Sequence, residues 1–235
     1  WDWSSIKFKS LSFPNNFIWG TATASHQVEG NCKNNWSEFE KGFKDDGEPN
    51  IKDSQISGVA CDQWNMYKND VQLIKKLGVT HYRFSIEWSK IQPEIDSYDQ
   101  NAINHYSNLI DELLANDIKP VVTLHHFTHP IWFEKMGGFE KKENIRYLVD
   151  FSWMMFNEFS NRVRLWCTIN EPGVVATQGY FSGMFPPGIK SGKKTALVFK
   201  NLLESHVQIY QKLKTHANGP KVAIGIVKNI NQFEP

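Results

Sequence analysis

The stretch THYRFSIEW, residues 80–88, decides the fold. Tyr82, Phe84, Ile86 and Trp88 alternate with His81, Arg83, Ser85 and Glu87, the two-residue period of a strand whose side chains leave on opposite faces. It lies between segments of helical period, the setting of a parallel strand joined to its neighbours by crossover helices and covered on both sides. One apolar and one polar face on such a strand fit a barrel whose upper interior is polar.

Four further β-prone runs flank it: FIWGTATA at 17–24, KPVVTLHH at 119–126, RLWCTIN at 164–170 and KVAIGIV at 221–227. Helices are predicted between them. The first starts at Asp62 as N-cap, carries Trp64, Tyr67, Val71, Ile74 and Leu77 on one side, and stops at Gly78. The next covers 101–116 with Ile103, Tyr106, Ile110, Leu113 and Leu114 inward. A third covers 142–159, and a fourth 195–214 with Leu202, Leu203, His206, Ile209, Tyr210 and Leu213 inward. Long connections at 30–60 and 173–194 both follow strands and so belong at their C-terminal ends, where long loops inside a compact domain are usually functional. With no repeat, low-complexity tract or linker, residues 1–235 read as one domain. The expected fold class is α/β: a (β/α)₈ barrel, incomplete, with about its first five strands.

Composition narrows the function classes. A net charge of +1 supplies no field to attract nucleic acid. No apolar stretch approaches the ~20 residues that span a bilayer, and the N-terminal residues lack a basic-then-apolar leader. A soluble cytoplasmic protein is the expectation, with no nucleic-acid or membrane partner. Cys32, Cys61 and Cys167 are dispersed, so neither a disulfide framework nor a zinc site is indicated. Aromatic residues make up 14% of the chain, which suits stacking on sugar faces and suits a large core equally.

Barrels of this kind carry their active sites at the C-terminal ends of the strands. Those ends hold Gln27 and Glu29, then Arg83 and Glu87, then His125 and His126, then Asn170 and Glu171. Glu171 stands before Pro172, which cannot join a strand ladder and is expected to hold the preceding residue extended. Asn170 and Glu171 would point to opposite faces of a regular strand, so they share one site only where the pleat breaks. A carboxyl beside apolar surface is disfavoured in its charged form, and a protonated glutamate is what general-acid catalysis uses; the plainer reading is a rim glutamate in a salt bridge. Arg83, in an otherwise apolar strand, calls for a carboxylate partner, either a catalytic one or one in an internal ion pair. LHHFTHP, at 124–130, lacks the spacing of a metal site, and no metal or cofactor is expected. One of its histidines suits a sugar hydroxyl, with Phe127 or Trp132 for stacking, while His125 also reads as a satisfied core residue. Gln27 also reads as an ordinary loop amide.

Taken in order, FPNNFIWGTATASHQVEG, YRFSIEWSKIQP, VTLHHFTHPIW, WCTINEP, GYFSGMFPPG and NLLESH resemble the corresponding runs of glycoside hydrolase family 1, the retaining β-glycosidases, over nearly the whole chain. The resemblance implies that Glu171 is the acid/base, that Gln27, His126 and Asn170 bind sugar hydroxyls, with Asn170 on the 2-hydroxyl, and that Arg83 contacts the nucleophile. Phe127 stands where many members have tryptophan, and Glu87 where a small residue is commoner. The implied substrate is a small β-glycoside or oligosaccharide. Retaining hydrolysis needs a second carboxyl about 5–5.5 Å from the first, and the T-E-N-G-type motif that carries it in the family does not occur between Trp1 and Pro235. A full barrel takes about 250 residues without insertions, so five strands leave an open edge, and the 235 residues alone are expected to be inactive. A separate chain or further residues would complete the barrel. The alternative is a sugar-binding or degenerate protein without chemistry.

Overall fold

The computed structural model describes Lys7 and residues 12–230. Five strands, β1 (Gly20–Ala22), β2 (His81–Ser85), β3 (Lys119–His125), β4 (Leu165–Asn170) and β5 (Ala223–Val227), form one sheet in sequence order. Every neighbouring pair is parallel. The helices are α1 (Ser25–Val28), α2 (Asn35–Phe39), α3 (Gln63–Lys76), α4 (Trp88–Ile91), α5 (Gln100–Ala115), α6 (Ile131–Lys135), α7 (Ile145–Phe159), α8 (Pro172–Tyr180) and α9 (Gly192–Lys214). This is the arrangement of five consecutive strands of a (β/α)₈ barrel, left open.

The alternation in β2 sorts as its pattern requires. Tyr82, Phe84, Ile86 and Trp88 are buried in the layer between sheet and helices, with Tyr106, Ile110 and Leu113 of α5 in the same cluster. Arg83 faces the other way and donates through Nε to Thr123 Oγ1 of β3 at 2.9 Å, so polar groups of adjacent strands meet on the barrel side. β1 is shorter than predicted. Phe17 turns back to bond the Pro14 carbonyl, and Phe13, Phe17 and Trp19 pack on one another in the open.

Several helix details differ from expectation. Asp62 does precede α3, but its backbone is left-handed (φ 52) and its carboxylate bonds the Asn65 side chain at 2.7 Å instead of capping a backbone N–H. Leu77, Leu114, Leu203 and Tyr210 are exposed. Successive residues are turned 100° from one another, and in the pairs Leu113/Leu114, Leu202/Leu203 and Ile209/Tyr210 it is the first residue that faces inward. Leu77 lies six residues beyond Val71, about a third of a turn away from it. His206 meets Thr168 Oγ1 at 2.8 Å. The connection after β4 opens with α8, so its irregular part is only 181–191.

Gly78 stops α3 in the left-handed region (φ +72), and a Cβ added there meets nothing within 4 Å. Gly78→Ala is therefore expected to cost only the backbone term, about 1 kcal/mol, read as a lower urea midpoint at unchanged m-value. A loss several times larger would mean a contact at this position.

Candidate active site

The upper ends of β3 and β4 are shaped by two residues in an unusual backbone state. Register between β4 and β5 shifts between Cys167 and Asn170, a bulge that changes the phase of the pleat. Glu171 then adopts φ 48, ψ 63. The extended geometry expected before Pro172 is thus wrong: the chain passes from strand to helix in one left-handed residue, with Pro172 in the first turn of α8, where a missing N–H costs nothing. The break in the pleat is real, and through it Asn170 and Glu171 come together. On β3 the same device recurs at Phe127 (φ 69), directly after His126. A left-handed bulky residue is strained, and such strain clusters at functional sites.

Asn170 is the link. Its Oδ1 accepts from Arg83 Nη2 at 2.7 Å, and its Nδ2 donates to Glu171 Oε2 at 2.8 Å. A cation on β2, a buried amide on β4 and a half-buried carboxyl at the start of α8 thereby form one chain. Among the described residues no carboxylate partners Arg83: its hydrogen bonds there are to a hydroxyl and an amide oxygen. The guanidinium tolerates this because it is only half-buried. Its charge is felt at His126, whose pKa burial first and Arg83 second push down to about 4. The imidazole is therefore neutral near pH 7, and its Nδ1 is buried with no hydrogen-bond partner among the described residues.

Gln27 and His126 line one cavity of about 300 Å³ together with Trp36, Phe127 and Phe185. Glu171 lines another, of about 430 Å³, with Phe199, Leu203, Ile226 and Lys228, and is its only carboxyl among the described residues. The five predicted residues thus fall into two groups, Gln27 with His126 and the Arg83–Asn170–Glu171 chain, not a single enclosed pocket. A separate cavity of about 770 Å³ is lined by Glu29, Trp64, Lys90 and Trp132 and touches none of the five.

Other rim residues are turned away. Trp132 stacks edge-on against Trp88 and Tyr147 and donates to the Gln92 carbonyl, which removes it as a platform beside His126. His125 is buried, but not satisfied: neither ring nitrogen has a partner among the described residues, and burial with neighbouring His129 and His126 pushes its pKa well down. Glu29 bonds Tyr106 and Lys90, and Glu87 lies fully buried among neutral donors. Cys167 and Thr123 beside Arg83, and Phe185 from the loop after α8, escaped sequence reasoning. The first two were detectable as strand residues in the Arg83 layer; Phe185 lies within the quoted run GYFSGMFPPG, which gave it no individual role. No helix among the described residues is long and apolar enough to cross a membrane.

Comparison with known proteins assigns the family. The profile of Glycosyl hydrolase family 1 matches residues 9–235. "Beta-glucosidase A" of Thermotoga maritima is 36% identical over 225 residues, 95% of this chain and 50% of that protein. "Cytosolic beta-glucosidase" of Homo sapiens is 36% identical over 207 residues, 84% of this chain and 43% of that protein. The solved structure "Beta-glucosidase from Thermotoga maritima in complex with deoxynojirimycin" superposes with a TM-score of 0.88 at 35% identity, over 95% of this chain and 51% of that one. The chain spans about half the length of these relatives. Sequence, fold and relatives agree that it belongs to glycoside hydrolase family 1.

Proposed function

We propose that these residues supply the acid/base half of a retaining β-glycosidase site acting on small β-glucosides or oligosaccharides. The observation that carries the reading is the Arg83–Asn170–Glu171 chain. Glu171 protonates the departing glycosidic oxygen and then takes a proton from the water that attacks the glycosyl-enzyme. Asn170 holds that carboxyl through Nδ2 and is placed to bind the 2-hydroxyl. Gln27 and the neutral His126 bind further hydroxyls, and Phe127 offers an apolar face beside them. Arg83, whose present partners are neutral, holds the second carboxylate, the nucleophile, supplied by further residues of the polypeptide or by a separate chain. Residues 1–235 are then the N-terminal part of one barrel domain. The exposed Phe199, Leu203 and Tyr210 of α9, beside the edge strand β5, fit a surface that the remainder of such a barrel covers. Resemblance to cytosolic β-glucosidases supports a cytoplasmic location.

The longest polypeptide the gene encodes is expected to hydrolyse p-nitrophenyl β-D-glucoside with the β-anomer as first product by NMR, and to bind deoxynojirimycin. Residues 1–235 alone are expected to give no turnover. An α-anomeric first product, absence of both binding and hydrolysis, or turnover by the 235 residues that survives Glu171→Ala overturns the reading.

A further inference from the structure

Glu87 is 0% exposed, yet each partner of its carboxylate is a neutral donor. Oε2 accepts from Ser25 Oγ at 2.8 Å and Thr128 Oγ1 at 2.9 Å. Oε1 accepts from Ser89 Oγ at 2.7 Å, Asn34 Nδ2 at 3.2 Å and Ser89 N at 3.4 Å. Burying a carboxylate is costly unless charge-assisted hydrogen bonds replace its water. Five donors do so here, and their origins are informative. Ser25 lies two residues before Gln27, and Thr128 two residues after His126. A single oxygen therefore ties the loop after β1 to the loop after β3, each next to a candidate sugar ligand. Thr128 also follows Phe127, whose left-handed backbone persists only if its surroundings hold it.

We infer that Glu87 is a positioning residue: its carboxylate sets the spacing between Gln27 and His126, and so the fit of the sugar between them. The inference rests on the glycosidase reading for the sugar-binding role of those two residues. Glu87→Gln keeps the size of the side chain but halves its acceptors. Asn34 Nδ2 and Ser89 N can only donate, so the amide oxygen turns to them and the amide nitrogen faces Ser25 and Thr128. The charge-assisted tie that spans the two loops is thereby replaced by two neutral bonds of reversed direction, donated by the amide to hydroxyls that must turn to accept them.

The test is deoxynojirimycin affinity, by calorimetry, in the longest polypeptide the gene encodes. Glu87→Gln is expected to weaken binding about tenfold, the scale of losing the charge assistance of a supporting hydrogen-bond pair behind a ligand-binding side chain. Ser25→Ala and Thr128→Val each cut one tie, and they carry the test if Glu87→Gln does not fold. Thr128→Val is expected to weaken binding in the wild-type background and to have no further effect in His126→Ala; Ser25→Ala is expected to behave likewise against Gln27→Ala. A general loss of structure would lower affinity equally in both backgrounds. Equal losses in both, or none in either, overturn the positioning role. Gln27→Ala and His126→Ala binding as tightly as wild type instead overturns the sugar-binding reading itself.

Discussion

Glu171→Gln is expected to lower kcat for a β-glucoside with a poor leaving group, such as the methyl glycoside, by about 10³-fold, within the range by which a positioned general acid accelerates proton transfer. The glutamine fits the same space and still accepts from Asn170 Nδ2 through its amide oxygen, in place of the present 2.8 Å bond to the carboxylate. What disappears is the proton. A 2,4-dinitrophenyl leaving group departs as a stable phenolate and needs none, so glycosylation of the nucleophile from that substrate is expected to change by less than about tenfold. Water attack on the intermediate then lacks its base, and the glycosyl-enzyme accumulates. Azide, a nucleophile that needs no deprotonation, is expected to restore turnover and yield the β-glycosyl azide. Equal losses for both leaving groups, or no rescue by azide, would reduce Glu171 to a residue that shapes the strand end. The assay uses the longest polypeptide the gene encodes.

The left-handed backbone of Glu171 adds a control. Most non-glycine residues pay roughly 1–2 kcal/mol to stand in that region, so Glu171→Gly relieves backbone strain while removing the carboxyl. Loss of the acid/base with stability held or gained separates the chemistry from the fold.

The architecture was legible because its signals are local. The two-residue alternation in β2 and the helical stripes of α5 and α9 follow from which side chains must leave water, and the parallel order of strands follows from the helices between them. The strand ends were less legible. Arg83, Asn170 and Glu171 could be named from strand position, yet the prediction of an extended Glu171 failed because proline's restriction on its predecessor excludes the right-handed region more strongly than the left-handed one. The bulge before Asn170 has no residue signature of its own. Glu29, Glu87 and His125 were assigned to the rim by the same reasoning that named Gln27, Arg83 and His126. Their actual directions depend on which of two successive residues turns inward where the pleat breaks, and long-range partners such as Tyr106 decide that.

Stability is expected to fall with rising pH through Glu29. Burial pushes this carboxyl from an ordinary 4.5 up to about 7, against the opposing pull of Lys90 and with a push from the nearby Glu87. Lys90 Nζ stands 3.4 Å from Oε2, but it also donates to the Gly30 carbonyl at 3.1 Å and sits 3.8 Å over the Trp64 ring. Its charge is shared and does not offset the cost of burial. Because the native pKa lies above the unfolded one, the native state holds the proton more tightly. The contribution is complete below pH 4.5, shrinks as pH rises, and is gone above about 7. A separation of that size corresponds to about 3 kcal/mol. Glu29→Gln keeps an acceptor for Tyr106, whose hydroxyl donates to Oε1 at 2.7 Å, and does not titrate. Other groups also titrate between pH 4 and 8, so the informative quantity is the difference between variant and wild type, in which they cancel. Urea unfolding of both proteins at pH 4.5 and 8 should show that difference moving by about 3 kcal/mol in favour of the glutamine as pH rises. A constant difference would mean that Glu29 titrates alike in the folded and unfolded chain. Movement in the opposite direction would mean that the pairing with Lys90 outweighs burial.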